Sequence, residues 1–190
     1  NQQTEIALLI LAPVLIAFLI FIDWVIIILY SSEFVAVDVM IYWAFLGMFF
    51  KVPAWVVGFI FIAKGESKLF FWNELVSNLY LLGLNLLGYY YWGLTGLGVS
   101  FLISYILYLI QVYLIANRKY GFNFHTGFIK LFTVQFGLAL LCFGVISFLS
   151  FPWIYAFGVP VILLSAWYSF KELDKRLHLK ELLNNYLGKK

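Results

Sequence analysis

Six runs of about twenty apolar residues, separated by short polar connections, follow one another along this 190-residue chain. A bilayer core is about 30 Å thick and needs roughly 17–25 apolar residues per helical crossing. Ile6–Tyr30, Val39–Ala63, Leu69–Tyr91, Leu97–Ala116, Phe128–Phe148 and Trp153–Phe170 meet that length, give or take a residue or two. None of them alternates with period two, as the strands of a membrane barrel must. The pattern predicts an all-α polytopic membrane bundle of six transmembrane helices.

Composition excludes a soluble domain. Only 11% of residues are charged and 65% are hydrophobic, against roughly 25% charged in soluble domains. Cys142 is the single cysteine. It lies within an apolar run and reads as core. There is no phosphate-binding glycine loop and no dinucleotide fingerprint. His125 and His178 are far apart, and no metal-ligand cluster or nucleophile–base pair is visible. The chain therefore reads as neither an enzyme nor a cofactor, metal or nucleic-acid binder.

Basic residues set the orientation. Lys64 and Lys68 fall in one connection, and Arg118, Lys119 and Lys130 in or beside another. Lys171, Lys175, Arg176, Lys180, Lys189 and Lys190 fall in the tail. These are alternate connections, and by the positive-inside rule all are cytoplasmic. The loops at 31–38, 92–96 and 149–152 carry no Lys or Arg. Both ends of the chain are expected in the cytoplasm. Tyr89–Trp92 and Trp153 with Tyr155 mark the outer interface. Phe70–Trp72 and Tyr120–Phe124 mark the inner one. Residues 171–190 read as a basic amphipathic tail that lies on the inner leaflet, extends the last helix or stays solvated.

The twelfth basic residue, Lys51, sits in the middle of the second span, two residues before Pro53. An ionisable group at that depth costs roughly 2.5–3.5 kcal/mol and normally faces a protein interior or a watery cavity. It is the first candidate for substrate contact. A structural Lys, paired or snorkelling, is the other reading. Asp23 in the first span lies about 7 Å away along the axis at roughly 1.5 Å per residue, so an Asp23–Lys51 pair is expected to be within reach. In the third span Glu74, Asn78 and Asn85 recur at spacings of four and seven, on one face. They are candidates for substrate contact (Asn78, Asn85) and for ion coupling (Glu74, with Asp23). Interhelical hydrogen bonding explains the amides equally well. Gly96, Ser100 and Ser104 recur every fourth residue, a face of small side chains suited to close helix packing.

Three stretches in series resemble a known family: APVLIAFLIFIDWVIIILYSSEF at 12–34, WAFLGMFFKVPAWVVGFIFIAKGESKLFFWNEL at 43–75, and the run from Asn78 to Gly121 with its GLTGLG turn. Together they resemble bacterial O-antigen and oligosaccharide-lipid flippases. These form the polysaccharide exporter branch of the MATE-like multidrug/oligosaccharidyl-lipid/polysaccharide transporter superfamily. The resemblance implies a two-lobe transporter of the bacterial inner membrane that moves polyprenyl-pyrophosphate-linked glycan. By it, residues 1–121 match the last four helices of the C-terminal lobe and 122–170 add two further helices. The N-terminal lobe of the same protein is then expected as a partner. Lys51 would suit the pyrophosphate, and Asp23 and Glu74 a coupling cation. A multidrug antiporter of the same superfamily and a non-transporting assembly subunit remain alternatives. A membrane-embedded polymerase or transferase is disfavoured by the short, nearly uncharged outer loops.

Overall fold

The structure is a computed structural model that describes residues 2–29, 37–150 and 152–177. It is all-helical over these residues. The helices are α1 (Gln2–Leu29), α2 (Asp38–Ala63), α3 (Ser67–Tyr120), α4 (Thr126–Phe148) and α5 (Trp153–Leu177). All five are long and apolar enough to cross a membrane. The prediction of six separate helices meets one difference. The expected third and fourth segments form the single helical stretch α3, broken only at Gly93, where φ is 57° and ψ −135°. Backbone of this kind is open to glycine and strained for other residues.

At Gly93 the chain folds back on itself. Gln111 on the second limb donates to the Asn73 side chain on the first at 2.8 Å. Ser100 donates to Asn85 at 2.7 Å. Gly96 lies so close to Gly88 that a Cβ on Gly96 would overlap the Gly88 carbonyl. The residue numbers of these pairs rise on one limb as they fall on the other. The limbs are therefore antiparallel, each about 26 residues or ~39 Å long at the α-helical rise.

α2 is the spine. One apolar core unites α1, α2, α4 and α5 around Leu8, Ile16, Leu19, Leu46, Phe49, Leu131 and Cys142. A second joins α2 to α3 around Ala54, Val57, Phe61, Tyr108 and Val112. The α3 hairpin packs mainly on α2, whereas α1 contacts α2, α4 and α5. Cys142 is fully buried, as its apolar run predicts. α2 continues through Pro53 to Ala63. Membrane helices tolerate such prolines where neighbours re-satisfy the freed carbonyl.

Polar contacts tie the ends of the helices together. At one end Arg176 pairs with Glu5 at 2.7 Å and with Glu172 at 2.7 Å, joining α5 to α1. At the end of α3, Lys119 pairs with Glu66 in the α2–α3 connection at 2.7 Å. The Lys-bearing connection at 64–68 thus lies beside the basic end of α3. Trp24 donates to the Tyr155 hydroxyl at 2.7 Å, joining α1 to α5 near their other ends. Between α4 and α5, buried Gln135 bonds Ser165 at 2.6 Å and Ser169 at 2.7 Å. The helix of the expected tail extends α5 as far as Leu177. Residues 178–190, with His178, Lys180, Lys189 and Lys190, lie outside the described residues, as does the YSSEF motif at 30–34.

Candidate functional site

Lys51 projects from α2 toward the second limb of α3. Its Nζ lies 4.8 Å from the ring centre of Trp55, 4.9 Å from Tyr105 and 5.5 Å from Phe101. The spacing explains the arrangement. Trp55 follows Lys51 by one helical turn, and Tyr105 follows Phe101 by one turn, so each pair shares a face. Lys51 enters no ion pair among the described residues. Cation–π contacts contribute from about 0.5 kcal/mol exposed to about 2 kcal/mol desolvated. Three of them would offset much of the roughly 2.5–3.5 kcal/mol that a charge costs at the centre of a membrane.

The expected Asp23–Lys51 pair does not form. Asp23 accepts a hydrogen bond from the Tyr42 hydroxyl at 3.2 Å instead. Tyr42 and Lys51 are nine residues apart on α2, which at 3.6 residues per turn places them about 180° apart around the helix. The Tyr42 side faces α1, and the Lys51 side faces α3. An axial offset alone could not reveal this. Asp23 instead borders a cavity of about 700 Å³ shared with Asp38, Tyr42, Trp43, Phe143 and Ile154.

Glu74 is brought to the aromatic group around Lys51. Its Oε1 accepts from the Tyr108 hydroxyl and, at 3.2 Å, from the Asn73 amide. It lines a half-open groove of about 180 Å³ with Trp55, Phe59, Phe70 and Tyr108. Behind this groove is a smaller cavity of about 30 Å³, bordered by Glu74, Ser77, Asn78, Tyr80, Ser104, Tyr105, Tyr108 and Trp55. Trp55 and Tyr105 therefore both contact Lys51 and border the Glu74 cavity. One basic and one acidic side chain share a single aromatic wall.

The two amides of the polar stripe separate. Asn85 accepts from Ser100 and so joins the limbs of α3. Asn78 is exposed and donates to the backbone carbonyl of Glu74 at 2.8 Å, beside the small cavity. Buried Asn73, off the stripe, makes a further inter-limb contact, accepting from Gln111 through both its backbone carbonyl and its side chain. The small-residue face packs as predicted. Gly96 meets Gly88, Ser100 meets Asn85, and both serines are buried.

Sequence reasoning missed Trp55, Tyr80, Tyr105 and Tyr108. Signals pointed to two of the four: Trp55 lies one turn beyond Lys51, and Tyr108 continues the Gly96–Ser100–Ser104 series by four. The general abundance of aromatics, 22% of the chain, hid both. Comparison with protein-family models, curated proteins and solved structures finds no match to this chain.

Proposed function

We propose that this chain is part of a transporter that flips polyprenyl-pyrophosphate-linked oligosaccharide across the bacterial inner membrane. It would cross the bilayer six times, each limb of α3 counting as one span, with the Arg118–Lys119 end in the cytoplasm. Limb length and the Lys119–Glu66 contact support that count, because residues 66 and 119 lie together. The observation that carries the functional reading is Lys51. It is a cation in the middle of a span, held by three aromatic faces and paired with no described carboxylate. Such a cation is available to an anionic headgroup, and a pyrophosphate is the anion that the family resemblance supplies. In a two-lobe transporter, the wall formed by α2 and α3 would face the other lobe across the central cavity.

The test is complementation of a flippase-deficient strain by the full-length gene, with surface glycan measured at equal membrane abundance. Wild type and Lys51→Arg are expected to restore glycan and Lys51→Ala to fail. Full rescue by Lys51→Ala refutes the role of the charge. One observation favours a second reading, organic-cation antiport: the groove in which Trp55, Phe59, Phe70 and Tyr108 surround Glu74. Aromatic walls with a carboxylate suit a desolvated organic cation. That reading predicts drug resistance lost in Glu74→Gln and kept in Lys51→Ala.

A further inference from the structure

The last turns of α5 separate their charges by side. Within residues 171–177 only Lys171 and Lys175 are exposed, whereas Glu172, Asp174 and Arg176 are half-buried. Arg176 is turned inward, where it pairs with Glu172 and with Glu5 of α1. The Lys175 ammonium meets Glu172 at 2.6 Å, yet the Lys175 side chain stays 58% exposed against 17% for Glu172. Lys171 enters no ion pair among the described residues. Its Nζ lies instead 5.0 Å from the ring centre of Trp167, which is itself exposed. Leu163, Trp167, Lys171 and Lys175 recur every fourth residue and are all exposed, so they form one row along the helix. The row passes from apolar to aromatic to basic over about 18 Å at the α-helical rise.

We infer that this row binds an anionic phospholipid, its headgroup phosphate held by Lys171 and Lys175 and one acyl chain laid along Leu163. Three arguments select that occupant. The first is charge: the exposed side of the helix end carries two ammonium groups, while its carboxylates are drawn to the other side, so the face complements an anion. The second is order. A tryptophan between apolar and charged residues matches the boundary between acyl chains and headgroups, where its ring packs on carbon and its N–H bonds an ester oxygen. The third is length. Half of a bilayer's hydrocarbon core is about 15 Å, so a row of about 18 Å reaches from the acyl region to the phosphates, with the lysine stems running along apolar surface. A soluble anion would engage the two lysines alone, whereas a lipid engages all four residues. Lys130 provides the contrast. It lies near the start of α4, at the same end of the bundle because Gly127 adjoins Glu5, and it is exposed. Yet no ring among the described residues stacks with it. The inference rests on α5 crossing the bilayer and not on what the chain transports.

The experiment counts phospholipid retained by the purified full-length protein, by native mass spectrometry. The protein is first equilibrated in detergent micelles that hold equal amounts of phosphatidylglycerol and phosphatidylcholine with the same acyl chains. Wild type is expected to prefer phosphatidylglycerol, with about a fivefold factor from each lysine. Lys171→Gln is expected to lower the preference by about fivefold, and the double variant Lys171→Gln/Lys175→Gln to abolish it. Lys171→Arg is expected to keep it, as is Lys130→Gln. All these positions are exposed, so the variants leave the packed faces intact. Equal retention of the two lipids by wild type overturns the proposal. So does a loss of preference in Lys130→Gln as large as that in Lys171→Gln, which would mean a diffuse surface charge and no site. Displacement of the bound phosphatidylglycerol by inorganic phosphate assigns the lysines to a free anion and also overturns it. The assay involves no glycan and no transport. A chain that holds phosphatidylglycerol through Lys171 but flips nothing keeps the lipid site and loses the transporter reading; the converse loses the lipid site alone.

Discussion

At the residue scale, Lys51 and Gly96 show how a neighbour decides what a side chain does. Lys51 is unusual in sequence because it sits in the middle of an apolar run. The aromatic rings of Trp55, Phe101 and Tyr105 surround its ammonium group and would lower the cost of a cation at that place in a membrane. Gly96 is decided by backbone instead. A methyl group there would overlap the Gly88 carbonyl, whereas one at Gly83 meets nothing. Gly96→Ala is expected to cost about 1–3 kcal/mol, the usual range for overpacking a close contact, while Gly83→Ala is expected to be neutral or slightly stabilising. Reversible denaturation in mixed detergent micelles measures both. Equal stability of the two variants would show that the limbs do not meet at Gly96.

At the element scale, the helices are held by a few polar pairs set into long apolar faces. Without a hydrophobic drive between helices in lipid, close packing and hydrogen bonds determine which faces meet. The α4–α5 contact has one buried amide. Gln135 is fully buried and bonds the side chains of Ser165 and Ser169. A double-mutant cycle with Gln135→Ala and Ser165→Ala should give a coupling of about 0.6 kcal/mol, the membrane average, and no more than about 1.7 kcal/mol. Zero coupling would mean that the two side chains do not interact in the folded protein. The α3 limbs use the same device several times over, through Asn73, Glu74 and Asn85.

At the scale of the whole molecule, α2 joins two unlike parts. One is a bundle of α1, α2, α4 and α5; the other is the α3 hairpin laid along α2. The hairpin makes a direct prediction about crossings. In a Cys142→Ala background, single cysteines at Glu66 and Phe122 should react with a membrane-impermeant maleimide only after the cells are opened. A cysteine at Tyr90 should react in intact cells. Labelling of positions 66 and 122 from opposite sides would show that α3 crosses once and that the fold-back at Gly93 is not kept in the membrane.

The helical class, the approximate positions of the helices, the burial of Cys142 and the packing face of Gly96, Ser100 and Ser104 were legible in the sequence. Each follows from local hydrophobicity or helical spacing, and both are properties of a single helix. The tertiary structure alone decided which helix faces meet. Asp23 turns to Tyr42 and not to Lys51, because Tyr42 and Lys51 lie on opposite sides of α2. Glu74 meets Tyr108 and shares a cavity with Ser104, Trp55 and Tyr105 because a reversal at Gly93 brings the second limb of α3 back alongside it. Partners on different helices are set by how whole helices rotate and pack, and no local periodicity encodes that rotation.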